Sequence, residues 1–159
     1  MKDRPNSSGS SLVRIFIGEH VQHSSEGDCL RAVCKVLEQM HRWAYVFVNF
    51  HAAGRQIDLT VFMEKATLVI EVKAYSLPVR GEKNGQWQQQ GPYGVRNIGN
   101  GYVQALNAKN ALRDEMQRIG LVVGYPNGVV AVAPAVPAGS VLTPGDFKVG
   151  VISLDQVEE

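Results

Sequence analysis

Two acidic residues and a lysine lie inside what otherwise reads as a pair of apolar strands. In residues 54–75, GRQIDLTVFMEKATLVIEVKAY, Asp58 falls in the first strand, and Glu71 and Lys73 fall in the second. Neighbouring half-buried carboxylates repel each other unless a cation or a shared proton lies between them. Because Mg²⁺ uses one or two carboxylates together with water and substrate phosphate, Asp58 and Glu71 are candidate metal ligands. The Val72 carbonyl is a candidate third ligand, and Lys73 could orient or deprotonate a water.

Strand periodicity predicts where these side chains point. Successive residues of a strand face opposite sides of a sheet. Asp58 is therefore expected on the face opposite to Ile57 and Leu59. Glu71 and Lys73 are expected together, on the face opposite to the apolar residues of their own strand.

The register between the two strands has two solutions. A two-residue turn at 64–65 would put Asp58 opposite Glu71. A turn at 65–66 would put Asp58 opposite Lys73. Directly opposed residues have Cβ atoms about 5 Å apart, so either register gathers the three charges. The plainer interpretation of this pattern is a salt bridge on a solvent-facing sheet.

The order of predicted elements indicates an α/β sandwich. A serine-capped amphipathic helix, SSEGDCLRAVCKVLEQM, precedes the strands WAYVFVNF, QIDLTVF and TLVIEVKAY. The Asn-Gly pair of SLPVRGEKNGQWQQQ predicts a two-residue hairpin that forms a flap, and the glycine-rich GPYGVRNIGNG predicts a loop. A second helix, YVQALNAKNALRDEMQRI, and the strands GVVAVAPAV and KVGVISL follow. This order is unlike a doubly wound βαβ repeat.

The composition is that of a globular protein with one domain. The chain has 159 residues, of which 45% are hydrophobic and 19% charged. Residues 1–18 are predicted to be a flexible leader, and residues 19–159 a single domain. No apolar run approaches the roughly 20 residues of a membrane span, and no signal-peptide core is present. Cys29 and Cys34 favour neither a disulfide framework nor a zinc site, so a cytoplasmic location is expected.

Several classes of enzyme can be set aside. The chain has no G-x-x-x-x-G-K-[ST] loop, no G-x-G-x-x-G after a strand and no G-x-S-x-G elbow. His20 and His23 have the spacing of metal ligands, but no further Cys or His nearby completes a site. We therefore interpret them as surface histidines. The net charge is +1, and residues 76–118 carry six basic and three acidic residues, which is only a weak basic asymmetry.

Asp58 followed by Glu71-Val72-Lys73 resembles the Asp…Glu-x-Lys signature of the PD-(D/E)XK nuclease superfamily. The surrounding words are more specific: QID, VIEVKAYS, VRGEKNGQW and VQALNAKNAL together resemble the nuclease-related domain (NERD) family over residues 25–115. The resemblance implies a restriction-endonuclease-like α-β-β-β-α-β sandwich, with a central mixed sheet flanked by helices, over residues 19–159. The proline of the superfamily name is absent, because Ile57 precedes Asp58.

The resemblance also implies roles for individual residues. Asp58 and Glu71 match the metal-binding carboxylates, and Lys73 matches the catalytic lysine. Gln104, at the start of the second helix, matches a glutamine that the family places near its site. The first-helix acid is assigned to Glu26, because it keeps the helical phase of the apolar residues that follow. The fallback choices are Asp28 and Glu19.

Residues of the flap and the second helix are candidates for substrate binding. Trp87 could stack on a base, although packing of the hairpin onto the sheet is the favoured interpretation. Four basic residues are candidate phosphate contacts, with simple solvation as the alternative. They are Arg80, Lys83, Arg96 and Lys109.

The expected function is that of a Mg²⁺- or Mn²⁺-dependent nuclease, with DNA as the favoured substrate and a helicase or another DNA-processing enzyme as a candidate partner. No membrane association is expected. Two alternatives stay open: a nucleic-acid-binding or scaffold module that has lost cleavage, and a structural domain with a salt-bridged sheet. The structural domain requires Asp58 and Glu71 to face water.

Overall fold

The protein is an α/β sandwich built around a six-stranded mixed sheet. The computed structural model describes residues 12–121 and 124–157. The large sheet has the order β1-β2-β3-β4-β8-β10, and a second sheet has the order β7-β6-β5-β9. The helices are α1 (Ser24–Gln39) and α2 (Gly101–Arg118), and a short 3₁₀ helix spans Leu154–Gln156. The strands are β1 (Val13–Ile17), β2 (Ala44–Ala52), β3 (Arg55–Phe62), β4 (Thr67–Lys73), β5 (Val79–Gly81), β6 (Trp87–Gly91), β7 (Gly94–Ile98), β8 (Asn127–Val132), β9 (Val141–Leu142) and β10 (Val149–Ser153).

The two helices cover opposite faces of the large sheet. Cys29, Ala32 and Leu37 of α1 belong to one buried cluster with residues of β2, β3, β4 and β8. Ala108, Leu112 and Met116 of α2 belong to another cluster. Burial of these helical faces holds β3 and β4 in the middle of the sandwich. Neither described helix has the length and apolar character of a membrane span.

The predicted α/β sandwich is confirmed, but three strands, β1, β7 and β9, were missed. Residues 13–17 were predicted to belong to a flexible leader, yet they form β1, which pairs in parallel with β2. The rest of that prediction, for residues 1–11, lies outside the described residues. The predicted loop GPYGVRNIGNG contains β7, which pairs antiparallel with β6 through Trp87↔Ile98 to Gly91↔Gly94.

The predicted flap exists, but its connection is longer than the Asn-Gly pair suggested. β5 ends at Gly81 and β6 begins at Trp87, so five residues rather than two join them. Asn100 caps α2 by accepting a hydrogen bond from the Val103 N–H, at 3.0 Å. Its Nδ2 donates to the carbonyls of this connection, at 2.7 to 3.3 Å. The flap is thereby attached to the start of α2.

Candidate active site

The β3–β4 hairpin brings the two acidic residues together. Its register runs from Leu59↔Ile70 to Phe62↔Thr67, and the Met63 N–H donates to the Ala66 carbonyl at 2.9 Å. This register belongs to a turn at 64–65, the first of the two solutions. Continued along the strands, it sets Asp58 opposite Glu71.

The ladder between β3 and β4 opens at Asp58. Its last described pair is Leu59↔Ile70, and beyond it the Val72 N–H donates to Oδ2 of Asp58 at 2.8 Å. The carboxylate therefore takes the place of a main-chain acceptor. This contact fixes one oxygen of Asp58 beside β4.

Asn49 interrupts the alternation of β2 at the same level. It is 2% exposed and has a φ of 47°, a left-handed conformation that asparagine tolerates better than most residues. Val48 packs in the cluster on the α1 side, whereas Phe50 packs against the cluster on the α2 side. In regular alternation these two residues would share a face.

The predicted faces of β3 need a matching correction. Leu59 packs in the α1-side cluster, but Ile57 packs in the α2-side cluster, so the two residues do not share a face. The physical reason is the irregular backbone at Asn49, because Val48 pairs with Leu59 and Phe50 pairs with Ile57 on either side of it. In both β2 and β3, the apolar side chains switch from one side of the sheet to the other at the level of Asn49 and Asp58.

Glu71 and Lys73 form an ion pair at the edge of the opening. Lys73 Nζ lies 2.8 Å from Glu71 Oε1, and the two side chains are 21% and 14% exposed. A solvent-facing salt bridge would be far more exposed. A purely structural domain with a salt-bridged sheet would require Asp58 and Glu71 to face water, and the burial of Glu71 disfavours that interpretation.

The surroundings of Asp58 disfavour the ionised form of its carboxyl group. Burial, followed by the negative charge of Glu71, raises the pKa of Asp58 to about 6. The hydrogen bond from Val72 and the charge of Lys73 oppose this rise, and Glu26 adds to it. An added cation would relieve the repulsion between these acids.

Glu26 is the first-helix acid that reaches this region. It is 8% exposed, and its Oε2 accepts a hydrogen bond from Nδ2 of Asn49 at 2.9 Å. Asp28 instead pairs with Arg31. Glu19 lies 3.3 Å from His51 and is exposed. The geometry therefore favours Glu26 over both fallback choices.

These side chains line one polar cavity of about 330 Å³. Its lining residues are His20, Gln22, His23, Glu26, Asn49, Gln56, Asp58, Glu71, Val72 and Lys73. Sequence reasoning missed Asn49, although an asparagine inside an apolar strand is an available signal, since Asn is depleted from strands. It also left His20 and His23 as surface residues; both are exposed and both border the cavity.

The donor set fits a weakly held hard cation. Among residues 12–121 and 124–157, no group of three or more His, Cys, Asp or Glu side chains is arranged to hold a metal ion. Two carboxylates, Asp58 and Glu71, are sufficient for Mg²⁺ when water and phosphate complete its coordination. Oδ1 of Asn49, a residue of the cavity lining, is buried without a hydrogen-bond partner. Ligation by the Val72 carbonyl stays a prediction.

The other predicted site residues do not line this cavity. Gln104 lies in the first turn of α2, where its amide packs against Gly99. Arg80 is exposed on β5, and Nη2 of Arg96 donates to Gln89 at 3.0 Å. Lys109 and Lys83 are also engaged elsewhere: Nζ of Lys109 donates to the Lys148 carbonyl at 3.0 Å, and Nζ of Lys83 lies 3.4 Å from Asp146.

Trp87 is a packing residue, as the favoured interpretation of the sequence had it, and its role in substrate binding stays a prediction. Its side chain is fully buried, and its Nε1 donates to the Glu82 carbonyl at 2.9 Å. A Cβ atom on Gly81 would lie 2.2 Å from the indole, so the glycine makes room for the ring. A base could stack on Trp87 only if the flap were displaced.

Comparison with known proteins adds one match. The family model described as nuclease-related domain matches residues 24–133, which span both helices and the strands that carry the cavity. No curated protein and no solved structure matches the chain significantly.

Proposed function

The chain belongs to the nuclease-related domain family, and we propose on this basis that it is a divalent-metal-dependent nuclease that hydrolyses phosphodiester bonds. DNA is the expected substrate, and the cavity containing Asp58, Glu71 and Lys73 is the expected active site. The observation that carries the proposal is the convergence of these three half-buried side chains where β3 and β4 separate.

Asp58 and Glu71 would hold Mg²⁺ or Mn²⁺. Such a cation supplies Lewis-acid chemistry, which withdraws charge from a phosphate and lowers the pKa of bound water. The protein positions its carboxylates for this task through the Val72 N–H, which holds Asp58, and through Lys73, which holds Glu71. Because only two protein carboxylates take part, substrate phosphate is needed for tight metal binding.

Lys73 would act on the attacking water and on the negative charge that develops at the phosphate. Its ammonium group is fixed by Glu71 at 2.8 Å, which preorganises a positive charge in a partly dehydrated cavity. A preorganised donor of this kind stabilises a transition state more than a solvated lysine does. Glu26, held by Asn49, adds a further carboxylate to the lining of the same cavity.

A second candidate function is a nucleic-acid-binding module that no longer cleaves. Two observations favour it: the described residues contain no metal-binding cluster of three side chains, and the predicted phosphate contacts lie away from the cavity. Under either function, the expected partner is a helicase or another DNA-processing enzyme.

Incubation of the purified protein with supercoiled plasmid separates these functions. We expect nicked or linear DNA with Mg²⁺ or Mn²⁺, and intact plasmid with EDTA. Asp58→Asn should abolish cleavage, whereas Asp114→Asn, an exposed acid on α2, should not. A parallel incubation with single-stranded RNA tests the choice of substrate. Intact plasmid under every metal condition, with DNA still bound, would favour the non-cleaving module.

A further inference from the structure

One face of the large sheet displays a row of aromatic rings that α2 covers at one end only. Six residues form this surface, which we call the aromatic face: Phe16, Trp43, Tyr45, Phe47, Phe50 and Phe62. Phe50 and Phe62 pack beside the α2-side cluster. Towards the edge strand the face is open, because Phe16, Trp43 and Tyr45 are 45%, 45% and 39% exposed.

The rings form a continuous row rather than scattered exposures. Phe16 stacks on Phe47 with centroids 4.8 Å apart, and it also lies 6.0 Å from Tyr45. Trp43 extends the row beyond Tyr45, at 5.7 Å. Single exposed apolar residues are ordinary, but a contiguous patch marks an interaction surface.

Basic residues border the open part of this face. Arg14 is the register partner of Tyr45 across β1 and β2. Arg42 and Lys65 line a shallow cavity together with Trp43, and Glu64 is the acid in that lining. Within the part of the chain that the structure describes, none of the three basic side chains has an ion-pair partner. The charge around the rings therefore favours a polyanion.

A second copy of the chain is a poorer occupant. A two-fold interface brings the same patch of both copies together, so it would gather two sets of Arg14, Arg42 and Lys65 in one interface. Like charges in one interface are unfavourable. A polyanion that also presents flat apolar groups satisfies both the rings and the cations.

We propose that the aromatic face binds single-stranded nucleic acid, with bases stacking on Phe16, Tyr45 and Trp43. Arg14, Arg42 and Lys65 contact the phosphates. Aromatic rings beside cations are the recurring means of binding single strands without sequence preference, because every base has a π-face. The chemistry is shared by single-stranded DNA and RNA.

The aromatic face lies near the polar cavity, so binding there could bring a nucleic acid to the proposed active site. β2 carries Tyr45 and Phe47 on the aromatic face, and Asn49 two residues later lines the polar cavity. At about 3.3 Å per residue, Tyr45 and Asn49 lie roughly 13 Å apart along the strand. A nucleic-acid strand bound on the aromatic face therefore lies close to the proposed site of hydrolysis. The choice of nucleic acid as occupant rests on the proposed nuclease function.

The test is a binding measurement in EDTA, where no metal-dependent cleavage interferes. Fluorescence anisotropy of labelled oligothymidylate and oligouridylate reports the Kd for each chemistry. Phe16→Ala should weaken binding roughly 5- to 100-fold, because one stacked base is lost. Ile17→Ala is the matched control, since Ile17 is 58% exposed on the same strand and alternation turns it to the other face. Equal affinities for wild type and Phe16→Ala would overturn the proposal.

A second measurement uses the wild type alone, in case Phe16→Ala disturbs the fold. The chain has two tryptophans: Trp43 is exposed on the face and Trp87 is fully buried. Oligothymidylate should quench the exposed tryptophan, and duplex DNA should do so less. Binding without quenching would overturn the proposal.

Sedimentation velocity tests the competing occupant. If the wild type sediments as a dimer and Phe16→Ala as a monomer, a second copy occupies the face and the proposal is overturned. A monomeric wild type supports nucleic acid as the occupant. Plasmid cleavage is measured separately. If the protein cleaves DNA but Phe16→Ala binds oligonucleotides as tightly as wild type, only the proposal for the aromatic face is refuted. If the protein binds single strands through this face but does not cleave, only the proposed nuclease function is refuted.

Discussion

The charge on Asp58 destabilises the folded protein, which makes Asp58→Asn a stabilising change at neutral pH. Burial and the charge of Glu71 raise the pKa of Asp58 from 3.8 to about 6. Between about pH 4 and pH 6 the folded state then binds more protons at this group than the unfolded state does. The contribution of Asp58 to the free energy of unfolding therefore falls as the pH rises through this window, by up to about 3 kcal/mol.

The expected size of the stabilisation follows from this difference. Asparagine keeps the shape of the side chain and an oxygen that can accept from the Val72 N–H. Because Asp58 is only partly shielded from water, we expect Asp58→Asn to raise the free energy of unfolding by about 1 to 3 kcal/mol at pH 7.5. The change in melting temperature should be roughly 3 to 10 °C. At pH 4 the two proteins should differ little.

Urea unfolding of both proteins at several pH values measures this difference directly. Other groups titrate in both proteins, so the informative quantity is the gap between the two unfolding free energies at each pH. Asp114→Asn, at an exposed position, controls for the loss of one negative charge. An Asp58→Asn protein that is no more stable than wild type at pH 7.5, or a gap that does not widen from pH 4 to pH 7.5, would refute the reasoning.

Three further predictions concern the metal, the left-handed backbone at Asn49 and the flap. Calorimetric titration with Mn²⁺ should detect weak binding that Asp58→Asn abolishes; equal binding by both proteins would locate the metal elsewhere. Asn49→Ala should be about 1 kcal/mol less stable than Asn49→Gly in thermal unfolding, because glycine adopts a φ of 47° without strain; equal stabilities would contradict the left-handed conformation. Gly81→Ala should lower stability by about 1 to 3 kcal/mol and shift the tryptophan emission to the red, because the new Cβ displaces Trp87; an unchanged spectrum would contradict the packing.

The sequence predicted the hairpin that gathers the three charged residues, because either of its two registers brings them together. Two apolar runs with a polar link fix a hairpin, and the spacing of Asp58, Glu71 and Lys73 within it then places the charges together. The choice between the two turns was beyond the sequence, because Glu64-Lys65 and Lys65-Ala66 are similar turn dipeptides. The main-chain bond from Met63 to Ala66 resolves it.

The strands that were missed have little of the alternation of apolar and polar residues by which a strand is recognised. β7 is exposed along most of its length and flanked by glycines, so it shows no alternation of apolar and polar residues. β1 is short and follows a serine-rich stretch, and its pairing partner β2 is about 30 residues away in sequence. The reversal of faces at Asn49 depends on one backbone torsion, which local sequence signals do not determine.

The central claim is that the Asp58–Glu71–Lys73 cavity hydrolyses phosphodiester bonds, and the most direct test is the single-turnover cleavage rate of Lys73→Met with protein in saturating excess over DNA. Methionine retains the apolar stem and removes the ammonium group that contacts Glu71. We expect the rate to fall about a hundred- to thousandfold, the equivalent of about 3 to 4 kcal/mol. DNA affinity in EDTA should be nearly unchanged, and Lys148→Met, at an exposed position, should cleave normally. Cleavage by Lys73→Met at the wild-type rate under saturation would contradict the account.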